Sequence, residues 1–188
     1  MTSSASDPVS LLTASHSAID ASSAQALLNA AIEAKSRAYC PYSRFRVGAA
    51  ILACPANTPE VIGGASPKPV VVEAKLFTGV NVENASYPVG VCAERCAFGT
   101  AVAAGYPRII AIAVSTDINP PASPCGMCRQ FMREFVIGED VCVAMMGRKA
   151  EETSITEGTI VKRFGELLPM SFGPEDLPSV KDSALVGE

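Results

Sequence analysis

Three cysteines and one glutamate stand at spacings that suit metal chemistry. Two residues separate Cys125 from Cys128 in P-C-G-M-C, and one residue separates Cys92 from Glu94 in V-C-A-E-R-C. A Cys-x-x-Cys pair lets two sulfurs bind one ion, and Cys92 would supply a third ligand. Thiolate ligands favour zinc among the common metals. Three protein ligands leave one tetrahedral position for water, which is typical of a catalytic zinc site.

Glu94 follows Cys92 in the first turn of a predicted helix, where its carboxylate could reach across the open side of the metal. A carboxylate there would take a proton from zinc-bound water and pass it to the substrate. In the known zinc deaminases a glutamate has this acid/base role and is not a ligand. The alternative is a closed structural site with four cysteine ligands, because Cys96 lies on the same helical face as Cys92. That alternative would leave Glu94 without a role.

The elements that must position these residues are predicted to alternate between strands and helices. The cysteine segments begin the predicted helices 91–104 and 126–136, and the partial positive charge of a helix N-terminus stabilises a thiolate. A further helix is predicted at 22–39, with Ser22 as its cap, and a last one around 163–168. The predicted strands are 45–53, 71–82, 109–116, 141–146 and 159–161, and 54–70 is a long loop. This alternation favours a three-layer α/β domain.

Composition and charge exclude several classes of function. The chain has 188 residues and a formal net charge of −4, with no basic stripe, so we do not expect nucleic acid as a partner. No apolar run reaches the length of a membrane span, so no membrane association is expected. The N-terminus does not resemble a targeting signal, and we expect a cytoplasmic protein. The odd count of 7 cysteines disfavours a disulfide framework, and the single histidine, His16, disfavours histidine-dependent hydrolases.

The chain is predicted to consist of one domain with two extensions. Residues 1–21 are interpreted as a disordered N-terminal extension, because their composition is polar and small. Residues 22–177 form the catalytic domain. Residues 178–188 form a C-terminal tail, which is also interpreted as disordered.

Five segments resemble the homotetrameric zinc-dependent cytidine deaminases, and the resemblance runs from about residue 25 to residue 177. They are YCPYSRFRVGAA at 39–50, GVNVENASY at 79–87, VCAER at 91–95, SPCGMCRQ at 123–130 and ELLPMSFGPEDL at 166–177. The resemblance implies a mixed five-stranded sheet between helices, in a three-layer α/β/α fold, and four chains per enzyme. It implies hydrolysis of cytidine and 2′-deoxycytidine to the uracil nucleosides and ammonia. Zinc-bound water would be the nucleophile and Glu94 the proton shuttle.

The resemblance also assigns substrate contacts. Asn81 and Glu83 match the pair that holds the ribose 3′-hydroxyl, and an amide with a carboxylate can both donate to and accept from one hydroxyl. Phe45 matches an aromatic residue that lines the pyrimidine pocket. Tyr87 and Phe172 match residues that reach into the site of a neighbouring subunit.

Arg95 matches an arginine that hydrogen-bonds the zinc thiolates and draws back their excess negative charge. Within the same fold, the main alternative is an aminonucleoside-antibiotic deaminase of the blasticidin type. The N-V-E-N-A segment favours cytidine, because a nucleoside enzyme needs contacts to the ribose. A polynucleotide deaminase is disfavoured by the acidic charge and by the absence of a stacking surface. The alternative from another class is a binding module with a structural zinc.

Overall fold

The computed structural model describes residues 7–58, 74–136 and 140–177. Its strands are β1 (Val47–Cys54), β2 (Lys75–Val80), β3 (Arg108–Thr116), β4 (Cys142–Met146) and β5 (Thr159–Arg163). Its longer helices are α1 (Pro8–Ser15), α2 (Ala21–Lys35), α3 (Ala93–Ala103) and α4 (Gly126–Arg133). Short helices follow as α5 (Lys149–Glu152), α6 (Ile155–Gly158) and α7 (Phe164–Leu167), with 3-10 turns at Tyr87–Val89 and Pro174–Asp176. Within these ranges no helix is long and apolar enough to cross a membrane.

The five strands form one mixed sheet in the order β2-β1-β3-β4-β5. Strand β1 pairs antiparallel with β2 and with β3, where Ile51 lies opposite Phe77 and Ile112. Strands β3 and β4 are parallel and are joined through α4, and β5 returns antiparallel to β4. The prediction of a mixed five-stranded α/β sheet is therefore confirmed.

The sheet is covered on both faces, which explains why its central strands are almost continuously apolar. On one face α1 and α2 bury Leu12, Leu27 and Leu28 against alternate residues of β1, β3 and β4. On the other face α3 and α4 bury Phe98 and Met132 against the remaining residues of these strands. The result is the three-layer arrangement that the alternation of elements indicated.

Two glycines let the flanking helices approach the sheet closely. A Cβ at Gly48 of β1 would lie 2.2 Å from the carbonyl oxygen of Ala31 in α2. A Cβ at Gly79 of β2 would lie 2.3 Å from the backbone nitrogen of Ala97 in α3. Any larger residue would push the helix away, because the obstructing atoms are backbone. Gly79 therefore sets the position of α3, the helix that Cys92 begins.

Residues 7–21 are ordered and packed against the domain, so the prediction that they belong to a disordered N-terminal extension is wrong. Helix α1 is capped by Asp7, whose carboxylate accepts a hydrogen bond from the backbone N–H of Ser10 at 3.1 Å. Leu12 is completely buried and Ile19 is 3% exposed, because α1 packs against α2, β4 and β5. The apolar side chains in this segment bury enough surface to order it. The tail at 178–188 and most of the 54–70 loop lie outside the described residues.

The start and end of α2 also differ from the prediction. Asp20, and not Ser22, caps the helix, and its carboxylate accepts from the backbone N–H of Ser23 at 2.7 Å. The helix ends at Lys35, four residues before the predicted boundary at 39. Lys35 is buried, and its ammonium group turns inward to carboxylates that belong to other elements. Those partners are remote in sequence, so local spacing could not reveal them.

Candidate active site

Three cysteines converge at the N-termini of α3 and α4. Cys92 is the N-cap of α3, Cys125 is the N-cap of α4, and Cys128 lies in the first turn of α4. The two helices pack side by side, because Phe98 of α3 contacts the ring of Phe131 in α4 at a centroid distance of 6.3 Å. Both N-termini therefore present their partial positive charge to the same group of sulfurs.

The spacing of these sulfurs fits a zinc ion. The Sγ atoms of Cys92, Cys125 and Cys128 all lie within 4.8 Å of one another, and those of Cys92 and Cys125 are 4.0 Å apart. A tetrahedral zinc with bonds of about 2.3 Å needs sulfurs about 3.8 Å apart. Within the described ranges Cys96 does not join this cluster. The chain thus brings together the three cysteines that were predicted as metal ligands, and a tetrahedral zinc bound to them would keep one position for a further ligand.

The environment of the cluster favours thiolate. The hydrogen bond from Cys128 lowers the pKa of Cys92 to about 5, although burial opposes this, and Arg95 and Cys125 also donate to the sulfur. The same hydrogen bond, together with burial, raises the pKa of Cys128. The negative charge therefore resides first on Cys92, at a helix N-terminus and beside a guanidinium. A site that already stabilises one thiolate is suited to a dication.

Glu94 is buried beside the sulfurs. Its side chain is 4% exposed, in the first turn of α3, one residue beyond the N-terminus. Burial raises the pKa of Glu94, and the charge of Cys92 raises it further, while hydrogen bonds from its own backbone N–H and from Cys128 oppose this. A raised pKa makes the protonated form of the carboxyl more accessible, which suits a group that must both accept and donate a proton.

Arg95 connects the sulfurs to the neighbouring cavity. Its guanidinium interacts with Cys92 and Cys128, and its Nη2 donates to the carbonyl oxygen of Gly90 at 3.3 Å. Its Nε is buried without a hydrogen-bond partner among the described residues. The side chain is therefore directed at the cysteines and not at solvent. This placement agrees with the contact that the resemblance implied.

A cavity of about 360 Å³ opens next to Gly90, and its size is in the range of small-molecule sites. Its lining consists of Tyr42, Ser43, Glu83, Asn84, Tyr87 and Gly90. Two of the predicted substrate contacts, Glu83 and Tyr87, are thus in the lining. Tyr42 and Ser43 were not predicted to be site residues, although both lie within the 39–50 segment that resembles the deaminases.

Asn81 and Glu83 hold the chain that forms one wall of this cavity. The Asn81 side chain accepts from the backbone N–H of Val47 at 2.8 Å and donates to the carbonyl oxygen of Phe45 at 2.9 Å. Glu83 accepts from the backbone N–H groups of Tyr42 and Ser43 and from the Ser43 hydroxyl. The Ser43 hydroxyl is the main cause that lowers the pKa of Glu83, so the carboxylate stays charged.

Two of the predicted contacts, Phe45 and Phe172, are not among the residues that line this cavity. Phe45 is half-buried, and its carbonyl oxygen accepts a hydrogen bond from the Asn81 side chain. Phe172 is 59% exposed, on the segment that follows α7 and contacts α4. Tyr87 is 75% exposed, although its ring contacts Tyr42 at a centroid distance of 5.8 Å. The rings of Tyr87 and Phe172 are therefore both largely exposed.

Comparison with known proteins agrees with this geometry. Residues 64–145 match a sequence family described as the cytidine and deoxycytidylate deaminase zinc-binding region. The chain is 39% identical to a probable cytidine deaminase of Dictyostelium discoideum over 152 residues, which are 80% of this chain and 84% of that protein. It is 37% identical to a cytidine deaminase of Halalkalibacterium halodurans over 153 residues, covering 81% of this chain and 96% of the relative.

Solved structures show the same likeness. The crystal structure of cytidine deaminase from Burkholderia pseudomallei superposes with a TM-score of 0.62 at 37% identity, covering 79% of this chain and 98% of that one. Cytidine deaminase from Mycobacterium tuberculosis superposes with a TM-score of 0.57 at 30% identity, covering 79% and 96%. Fold, cysteine cluster and sequence identity over most of each relative lead to one conclusion: the chain belongs to the zinc-binding family of cytidine and deoxycytidylate deaminases.

Proposed function

We propose that the protein hydrolyses cytidine and 2′-deoxycytidine to uridine and 2′-deoxyuridine and releases ammonia, as a step of pyrimidine salvage. The observation that carries this proposal is a buried carboxylate, Glu94, next to three convergent cysteines. Arg95 contacts Cys92 and Cys128 and also Gly90, which lines a cavity of about 360 Å³. A closed four-cysteine site would need no buried acid. The relatives that match over most of their length are named cytidine deaminases, which supports the same reaction.

The residues divide the chemistry among themselves. Cys92, Cys125 and Cys128 would hold the zinc ion. When bound, zinc supplies a Lewis acid that lowers the pKa of water toward neutrality. Glu94 accepts a proton from the attacking water and delivers it to N3 of the pyrimidine. It then accepts the proton of the new C4 hydroxyl and delivers it to the amine, so that the C4 carbonyl forms as ammonia leaves. Arg95 offsets the excess negative charge of three thiolates on one dication.

Contacts to the substrate would come from the residues around the cavity. Asn81 and Glu83 would hold the ribose hydroxyl, since each retains hydrogen-bonding capacity beyond its present contacts. Phe45 would line the pyrimidine pocket. The exposed rings of Tyr87 and Phe172 support a homotetramer in which these residues complete a neighbouring site. We place the enzyme in the cytoplasm, and we extend its catalytic domain from the predicted 22–177 to include residues 7–21, which pack on the same sheet.

The first test separates acid/base chemistry from metal binding. Glu94→Gln should keep about one zinc per chain and lower kcat by roughly 10²- to 10⁴-fold, because the amide cannot transfer the proton. Cys128→Ala should lose the metal and lose stability. Metal content by mass spectrometry and the fall in cytidine absorbance are measured on the same samples. Loss of zinc from Glu94→Gln would contradict the assignment of Glu94 as a non-ligand.

The second test addresses the closed four-cysteine site. Cys96 lies outside the sulfur cluster, so Cys96→Ser should keep zinc and most of the activity. It is a matched control for Cys128→Ala, because both changes remove a single sulfur near the start of a helix. If Cys96→Ser lost its zinc, the site would have four cysteine ligands and the proposed enzyme activity would fail.

A further inference from the structure

The exposed polar face of α4 fastens the segment that carries Phe172. The Nε2 of Gln130 donates to the carbonyl oxygen of Phe172 at 3.0 Å, and the Nε of Arg133 donates to the hydroxyl of Ser171 at 3.0 Å. The guanidinium of Arg133 also pairs with Glu175. Two neighbouring positions of one helix thus bind both sides of the same aromatic residue.

These hydrogen bonds attach an irregular segment, residues 169–173, to α4. Residues 169–173 belong to no helix or strand, Met170 has a φ of 52° and is fully exposed, and the Phe172 ring is 59% exposed. Within the described parts of the chain, Gln130 and Arg133 supply the hydrogen bonds that tie residues 169–173 to the body of the domain. The Phe172 ring itself packs too little to determine where it stands.

The backbone of this segment packs against the guanidinium of Arg133 at Gly173. A Cβ at Gly173 would lie 2.4 Å from Nη2 of Arg133 and 2.6 Å from its Cζ, so the guanidinium lies directly against the glycine. The backbone N–H of Gly173 in turn donates to Asp176 at 2.8 Å. The Arg133 side chain is only 22% exposed, which keeps it in this one position.

We propose that Gln130 and Arg133 are positioning residues that hold the Phe172 ring outward, in the orientation in which it meets the substrate at a neighbouring site. The inference rests on the proposed function, because it takes Phe172 to be a substrate contact. Gln130 and Arg133 act through Phe172 and do not touch the substrate. A ring that is fixed before the substrate arrives loses less conformational entropy when the complex forms.

Arg129 is connected to the same segment but is unsuited to the test. Its Nη1 donates to the carbonyl oxygen of Leu167 at 2.7 Å, and its Nε donates to that of Pro124 at 2.7 Å. Pro124 adjoins Cys125, so a change at Arg129 would disturb the metal ligands as well. The hydrogen bonds of Gln130 and Arg133 go instead to residues 171 and 172. Variants at these two positions therefore change the support of Phe172 without a change next to the cysteines.

The experiment is a double-mutant cycle on kcat/KM for cytidine with Arg133→Met, Phe172→Ala and the double variant. Arg133→Met should lower kcat/KM about 10-fold, the order of effect expected when hydrogen bonds to one charged group are lost. In the Phe172→Ala background the same change should cost less than about 2-fold, because the ring it positions is gone. Gln130→Met should repeat this pattern with a smaller effect. Zinc content should be unchanged throughout.

Arg148→Met is the matched control, because Arg148 is an exposed arginine whose ion pair with Glu152 is remote from the Phe172 segment. It should leave kcat/KM at the wild-type value. Losses that multiply in the double variant would overturn the inference, and so would wild-type activity in either Arg133→Met or Phe172→Ala. If the wild-type protein did not deaminate cytidine, the proposed function would fail by itself. Amide hydrogen exchange at 171–173 would then show whether Gln130 and Arg133 hold this segment in place. Arg133→Met must speed exchange there and Arg148→Met must not.

Discussion

Replacing Lys35 by methionine should destabilise the protein strongly, because Lys35 is a buried cation. Its side chain is 2% exposed, and its ammonium group donates to the carbonyl oxygen of Thr116 at 3.2 Å. It also pairs with Asp117 at 3.1 Å and with Glu151. Methionine keeps the length and the apolar stem of the side chain but removes the charge. The substitution therefore removes the ammonium group from two carboxylates and from one buried carbonyl oxygen.

The expected loss in the free energy of unfolding depends on the interactions that Asp117 and Glu151 keep without Lys35. Removing one member of a buried ion pair costs roughly 3–5 kcal/mol when the other charge is left uncompensated. Asp117 keeps two hydrogen bonds from the Arg46 guanidinium, both at 3.0 Å, and Glu151 is 32% exposed and can be hydrated. These two features place the loss at the low end, about 3 kcal/mol. For a domain of this size that lowers Tm by about 6–12 °C.

The assay is thermal unfolding at a fixed protein concentration, with Arg37→Met as the control. Arg37 is 55% exposed on the next turn of chain and pairs with Glu33, which is 76% exposed. Its removal should cost less than about 1 kcal/mol. If Lys35→Met and Arg37→Met had the same Tm within error, the argument from burial would be refuted.

Three further predictions follow from the site and its surroundings. Refolding Glu94→Ala together with Phe172→Ala should restore activity above the average of the two variants if Phe172 acts on a neighbouring chain, whereas averaged activity in tetramers that contain both chains would exclude this. Cytidine should exceed cytidine monophosphate in kcat/KM by at least about 10-fold, because Glu83 stays ionised and repels a phosphate dianion; equal values would contradict it. Burial favours the neutral form of Asp117, but hydrogen bonds from Arg46 and Lys35 outweigh it and lower its pKa from 3.8 to about 2. The corresponding stabilisation, about 2 kcal/mol, is complete above pH 3.8 and is lost as the pH falls through 2, so Asp117→Asn should flatten the acid limb of the unfolding curve measured against pH.

The sequence by itself predicted which residues come together at the candidate metal site. Cys92, Glu94, Cys125 and Cys128 lie within the first turns of two helices, and the spacing along one helix turn depends only on local geometry. The alternation of apolar strands and amphipathic helices likewise predicted the layered sheet, because hydrophobic periodicity reflects which face of each element is buried. Such features are encoded over a few residues, and they could be interpreted without knowing the rest of the chain.

Only the tertiary structure decided which groups that are remote in the sequence come into contact. Lys35 was an ordinary lysine near a helix end until β3 and α5 placed two carboxylates beside it. The N-terminal segment resembled a polar extension, yet Leu12 finds a place against β4 more than a hundred residues later in the chain. Gln130 and Arg133 acquired partners at Phe172 and Ser171 in the same way. The physical reason is common to all three: the free energy of a buried contact depends on groups that the chain brings together only when the sheet has formed.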